Sequence, residues 1–548
     1  MKRVVLTAVF AAAWGLFSYG QENVTSPAAT EFVRYERIPV SYFNGLPSID
    51  IPLYTIDYKD LTLPIGLSYH ASGIKVNQYP TAVGLGWTLT AGGGITRVVN
   101  GIPDETCAQD IADAYSRLPG RNPGYYYISS FLTDSLWYDK DNLTFIYNHG
   151  YIDTEPDEFV INACGVSGSI YFYRDIDGKV HSAVKSNNGE SFKVEIPEII
   201  DNPDRITFCG GASGQDLQAY RIYKLPYEFT VTKSDGTKLI FGGDSDCIEF
   251  YTEARHNPID DVRYMKTWPS AWLLREIISP KGNRIKFSYQ RNGSPLIMSD
   301  VIIDIAVYTK EGMPGVMPSG DSDRGKSFVV QHPLYPLSIE VDGGLNIRFS
   351  ITKSTTLRTV NEEDELFLKL KGFGLAIKGD MPGDVCYRKE DNSTNRISYE
   401  PHNYFEVLSG MQIFNDSEPL KSVGFAYAGS PDERQKLTMV AIRGGNGIME
   451  QKYEFCYNER KLPPYNSTVT DNWGYWNNKN YRDTDIDGDF FGFRSTSLEH
   501  TLAETLTDII YPTGGHVSFE YELNDYSKIA TQVPDFDLVS QSGTAGGL

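Results

Sequence analysis

Leu274-Arg-Glu-Ile-Ile-Ser-Pro-Lys-Gly-Asn-Arg-Ile-Lys-Phe-Ser-Tyr289 recurs without a gap as Leu506-Thr-Asp-Ile-Ile-Tyr-Pro-Thr-Gly-Gly-His-Val-Ser-Phe-Glu-Tyr521. In each copy an apolar strand runs into a Pro-x-Gly turn. A second strand follows in which Ile285, Phe287 and Tyr289, or Val517, Phe519 and Tyr521, alternate with polar residues. A period of two puts one face on a core and the other in water. Pro280 and Pro512 fix φ where a turn starts, and Gly282 and Gly514 stand where a positive φ or a bulge is needed. The pair predicts antiparallel hairpins with Phe287 and Phe519 buried at equivalent places.

Further hairpins of this build surround the pair. Phe229 to Phe241 turns at Asp235-Gly236, and Ile170 to Val180 turns at Asp177-Gly178. Ser338 to Ser350 repeats the scheme, as does Leu437 to Tyr457 with a longer glycine-rich loop. The abundance of aromatic residues, with 36 Tyr and 27 Phe, and the scarcity of helical spacing point the same way. The expected fold is all-β, with repeated antiparallel hairpins forming sandwich or shell-like sheets.

The chain has 548 residues and a formal charge of −21, so binding nucleic acid through its phosphates is disfavoured. Lys2 and Arg3 precede an apolar run from Val4 to Phe17, then Ser18-Tyr19-Gly20. This reads as a signal peptide over 1–20, cut after Gly20, and hence a secreted or cell-surface protein. The run is shorter than the ~20 residues of a spanning helix, and no later segment looks transmembrane. Six cysteines (Cys107, Cys164, Cys209, Cys247, Cys386, Cys456) allow up to three disulfides or remain buried thiols.

Composition divides the remainder into a β module over 21–155, with an insertion at about 104–155 and a short helix near Gln109 to Leu118, and a hairpin domain over 156–311. A loop or linker over 312–326, rich in Pro and Gly, leads to a second β-rich domain over 327–465. A C-terminal hairpin region over 466–548 follows, and it looks truncated.

Val83-Gly84-Leu85-Gly86-Trp87-Thr-Leu89 leads to Gly92-Gly93-Gly94-Ile95-Thr96-Arg97 and then Gly101-Ile102-Pro103. Gly84 and Gly86 permit tight turns, and Trp87 supplies an apolar anchor. A phosphate loop would need Gly-Lys-Ser/Thr and a strand-to-helix context, which are missing. With Leu63 to Tyr69 and Ser72-Gly73 just upstream, this segment resembles the opening module of SpvB-type and Tc-toxin B-component proteins, and of the Rhs/YD-repeat proteins common in Bacteroidetes. Ser270-Ala-Trp-Leu-Leu274, Asp471 to Asn477 and the Tyr511 to Tyr521 hairpin extend the resemblance over most of the mature chain. It implies an exported scaffold, the N-terminal portion of a shell-forming or toxin-carrying protein, partnered by a downstream or separate Rhs shell and its cargo. The chain departs from that pattern in having a single Tyr-Asp dipeptide, Tyr138-Asp139, and no toxin tip.

Two segments offer chemistry of their own. Asp483, Asp485, Asp487 and Asp489 space carboxylates two apart with Gly488 at the sixth position, as in the first half of an EF-hand, so Ca²⁺ is the one ion expected. Arg494 stands where the closing Glu belongs, which leaves a plain acidic turn as the alternative. Trp473, Tyr475 and Trp476, flanked by Asn472, Asn477 and Asn478, are equipped for a glycan face, although strand alternation would bury at least one ring. No catalytic motif is present and no cofactor other than calcium is expected. The leading expectation is a non-catalytic scaffold. A surface adhesin or glycan-binding protein is the alternative, and a glycoside hydrolase or other secreted enzyme the third.

Overall fold

The computed structural model describes residues 45–100, 103–105, 125, 155–175, 179–201, 207–209, 224–257, 262–291, 296–300, 305–310, 313–318, 326–357, 386–390, 396–399, 405–465, 467, 469–479 and 494–523. The expected signal peptide and the helix near 109–118 lie outside these residues. Among the described residues no helix is long and apolar enough to cross a membrane.

β1 (Ile49–Tyr58), β2 (Leu61–Tyr69) and β3 (Trp87–Thr90) form a sheet of their own in that order. β4 (Gly93–Val98), β5 (Glu158–Ala163), β6 (Val166–Arg174), β7 (Val180–Ser186) and β8 (Phe192–Val194) follow. Three short strands come next, β9 (Ile199–Asp201), β10 (Thr207–Cys209) and β11 (Lys224–Pro226). β12 (Glu228–Lys233), β13 (Lys238–Gly242), β14 (Ile248–Asn257), β15 (Val262–Ile278) and β16 (Arg284–Gln290) continue the chain. Then come β17 (Leu296–Asp300), β18 (Ile305–Lys310), β19 (Met313–Pro318), β20 (Lys326–His332), β21 (Tyr335–Val341) and β22 (Leu345–Lys353). The last are β23 (Cys386–Glu390), β24 (Arg396–Tyr399), β25 (Glu406–Asn415), β26 (Glu418–Ala428), β27 (Lys436–Gly444), β28 (Met449–Tyr457), β29 (Leu506–Ile510) and β30 (His516–Ser518).

Two open antiparallel sheets share the 17-residue strand β15. Its first part pairs with β14 and β4, within the order β7-β6-β5-β4-β15-β14-β20-β17. Its last residues pair with β13 and β16, within β8-β12-β13-β15-β16-β21-β22-β25-β26-β27-β28-β29-β30. Among the described strands no ring of pairings closes, so neither sheet is a barrel. One apolar core joins both sheets to β1–β3, whose alternating burial lays Ile49, Ile51, Leu63, Ile65 and Leu67 on it. Each such side chain removed from water contributes roughly 1.5–3 kcal/mol.

The two founding hairpins agree down to single hydrogen bonds. Ile277 faces Ile285 as Ile509 faces Val517. Ser279 N donates to Asn283 O at 2.9 Å, and Tyr511 N to Gly515 O at 2.8 Å. Gly282 and Gly514 have φ of +84° and +81°. Tyr289 donates its hydroxyl to Leu274 O at 2.6 Å, and Tyr521 donates to Leu506 O at 2.7 Å. Tyr427 to Leu408 O and Tyr457 to Leu437 O, both 2.6 Å, show the same tie. The four other predicted hairpins also pair as antiparallel strands.

Burial at the equivalent phenylalanines differs. Phe287 is 5% exposed, beneath Gly92 and beside β21, whereas Phe519 is half-buried and stacked on Tyr521 at 6.3 Å. No described strand pairs with the outer edge of β30, so its apolar face lies at the margin of the core. A second difference is at 312–326, expected as a loop. There Met313–Pro318 pairs with Ile305–Lys310. The hairpin has only two strands, so each is an edge, and edge strands accommodate proline's missing N–H. Strands from the expected blocks 21–155 and 156–311 share one sheet, and strands from 156–311, 327–465 and 466–548 share the other.

Candidate functional site

The glycine-rich opening motif is a docking device. Gly84 and Gly86 take φ of +102° and +76°, which turns Leu85 toward the long sheet. Leu85 N donates to Gln435 O at 2.8 Å, and Ala82 O accepts from Leu408 N at 2.7 Å. A Cβ on Gly86 would sit 2.5 Å from the Tyr69 ring, and one on Gly84 would sit 3.0 Å from Leu437 N. Trp87 is 0% exposed, with Tyr69 and Phe455 at 5.2 and 4.7 Å between centroids. Its Nε1 donates to the Tyr457 hydroxyl at 2.8 Å, and the Tyr69 hydroxyl accepts from Leu506 N at 3.0 Å. Burial holds both phenols well above their ordinary pKa, so each stays protonated. The motif therefore fixes β1–β3 onto β25, β27, β28 and β29 through packing and hydrogen bonds.

Arg97 anchors a buried cluster of charge. Alternation along β4 turns it inward, with its guanidinium 5.3 Å from the Phe159 ring. Nε donates to Asp157 Oδ2 at 2.8 Å, and Nη2 donates to the same oxygen. Nη1 and Nη2 grip Glu105 at 2.8 and 2.5 Å. Asp157 also accepts from Asn100 N at 2.9 Å and Asp104 N at 3.1 Å, while Asp157 N donates toward both Asp104 oxygens at 3.2 Å. All four side chains are buried. Burial, with Asp157 close by, pushes the Asp104 carboxyl up to about 9, whereas the Glu105 and Asp157 carboxylates hold Arg97 charged. Arg97 was expected from the motif, but its three carboxylates were not. The signal available was the acid pair directly after Gly101-Ile102-Pro103 and the lone Asp157 entering β5.

Of the three expected glycan-facing rings, only Trp473 is exposed, at 52%, with Asn472 and Asn478 exposed on either side of the group. The Tyr475 hydroxyl donates to Ser72 O at 2.9 Å, and its ring lies beneath Lys75 Nζ. Trp476 packs on the small core of Ile74, Leu85, Leu462 and Ala503 and meets His500 edge-on at 4.7 Å. Asp471 Oδ1 accepts from Trp473 N and Tyr475 N at 2.9 and 3.0 Å, which shapes the turn, and buried Asn477 donates to Ser495 O at 3.0 Å. Asp483, Asp485, Asp487 and Asp489 lie outside the described residues. Arg494 donates to Thr470 O and Oγ1 at 3.0 and 2.8 Å.

Among the described residues no group of three or more His, Cys, Asp or Glu side chains could hold a metal. Ser518 and His516 both bond Asp508 Oδ1, at 2.6 and 3.0 Å. Both partners converge on one carboxylate oxygen, an arrangement that leads no proton from the serine to the histidine.

No protein-family model matches the chain, and no curated protein does. Among solved structures the chain is similar to TcdB2-TccC3, at 9% identity and a TM-score of 0.34, over 78% of this chain and 17% of that one. It is also similar to the N-terminal domain of the effector SpvB from Salmonella typhimurium strain LT2, at 10% identity and a TM-score of 0.29, over 72% and 98%. A third is the Photorhabdus luminescens Tc holotoxin pore, at 10% and 0.31, over 77% and 16%. The chain thus spans about a sixth of the length of the Tc toxin chains it matches. At this level of similarity, function has to be read from the chain's own residues.

Proposed function

We propose that the protein is a non-catalytic β scaffold, part of the wall of a shell-forming or cargo-carrying protein of the Rhs-like kind. The observation that carries this reading is the long meander from β8 to β30, apolar on one face and continued by one hairpin design. Its last described strand leaves Phe519 and Tyr521 half-buried. A sheet built this way grows by adding strands at its edge, and each added hairpin hides the face its predecessor left open. The opening motif supports the same reading, because its residues pin one sheet to another. Its resemblance to SpvB-type and Rhs modules implies export and a toxin or other cargo as partner.

The test is protease protection of the protein isolated from the cells that produce it. A polypeptide should copurify with the chain, or continue from it, and resist protease until the sheets are unfolded. Recovery of the chain as a monomer with no protected polypeptide would overturn the proposal. Exposed Trp473 keeps glycan binding as a second reading, which requires that Trp473→Ala abolish retention on a glycan array without moving the melting temperature.

A further inference from the structure

In the Arg97 site one positive charge faces three carboxylates, Asp104, Glu105 and Asp157, all withdrawn from water. Fully ionised, the four would leave two negative charges uncompensated in a low-dielectric pocket, which is strongly unfavourable. Among the described residues no second cation faces the three carboxylates. Phe159 covers the guanidinium, Glu155 is exposed, and Glu158 faces the other side of β5 toward Ser169 and Tyr171.

The supply of donors decides which carboxyl takes up a proton. Asp157 accepts from Arg97 Nε and Nη2 and from the amides of Asn100 and Asp104. Glu105 takes two guanidinium bonds. The Asp104 oxygens share one amide, that of Asp157, at 3.2 Å each, and receive nothing from Arg97. A carboxylate with several donors is stabilised as an anion, and one with few is more easily protonated.

We propose that Asp104 stores a proton at neutral pH, and that losing it in alkaline medium loosens the tie between residues 97–105 and 155–159. Those two stretches flank residues 106–154 in the chain, so the tie joins that segment's two ends. The sign follows from the stored proton. Its contribution is complete below the ordinary carboxyl range, near pH ~4, and is lost as pH rises toward about 9.

Amide hydrogen exchange on the whole protein from pH 6 to 10, referred to the intrinsic rate at each pH, reads the tie directly. Protection at Asn100, Asp104 and Asp157 should fall by about tenfold or more across that range. Asp104→Asn keeps an oxygen to accept from Asp157 N and has no proton to lose, so its protection should stay level with pH. Asp157→Asn removes the anion that grips Arg97 and should lose protection at every pH. Level protection in the natural protein, or a parallel fall in Asp104→Asn, would overturn the proposal. So would a flat profile in Asp157→Asn at full protection, since the proton would then reside on Asp157.

Discussion

Trp87 concentrates at one side chain what the opening motif does. Its ring is packed between Tyr69 and Phe455, and its indole N–H is satisfied by Tyr457, so removing it opens a cavity and takes away the donor to a buried hydroxyl oxygen. Trp87→Ala should cost ~3–5 kcal/mol in urea unfolding. Gly86→Ala should also destabilise, and more than Gly84→Ala, because its Cβ would meet the Tyr69 ring at 2.5 Å in addition to the strain of a positive φ. An unchanged unfolding midpoint in Trp87→Ala would contradict the packing described. These residues were legible because glycine and tryptophan each have a narrow range of uses at adjacent positions. Asp104 and Asp157 were not, because an acidic residue looks alike in sequence whether it lies in water or under a guanidinium, and 53 residues separate the two.

At the scale of the hairpin, period-2 alternation and the Pro-x-Gly turn predicted β15–β16 and β29–β30 closely, because both signals are local. The tyrosine ties were hidden, since each spans 15 to 20 residues and needs the pairing before it can be seen. Tyr289→Phe leaves Leu274 O without that donor and should cost about 1–2 kcal/mol, with Tyr521→Phe costing less at the half-exposed edge. Equal losses, measured by denaturant unfolding, would argue against the open edge. The prolines that suggested a loop over 312–326 misled for a related reason, since proline excludes a central strand but not an edge. Register also bears on the cysteines. Cys164 and Cys456 are free thiols, whereas Cys209 on β10 stands opposite Cys386 on β23. Directly opposed residues on antiparallel strands have Cα atoms ~4.5–5.5 Å apart, within disulfide range. Peptide mapping of the protein isolated under oxidising conditions should therefore recover a Cys209–Cys386 link, and free thiols at both positions would rule it out.

At the scale of the whole molecule, the all-β class was readable from composition and alternation, but the sharing of β15 between two sheets was not, because nothing local marks a strand that changes partners midway. The acidic segment from Asp483 to Asp489 can be tested on the intact chain. Calcium at roughly a hundred times its dissociation constant should stabilise by about 2.7 kcal/mol and magnesium by much less, while an equal response to both ions would leave a solvated acidic turn. The central claim is that the long sheet is a wall continued past β30. An electron cryomicroscopy structure of the protein isolated from its producing cells tests this most directly. The account predicts a further antiparallel strand along the outer edge of His516–Ser518, with Phe519 and Tyr521 as buried as Phe287 is at 5% exposure. An edge left bare, with both rings still half in water, would contradict it.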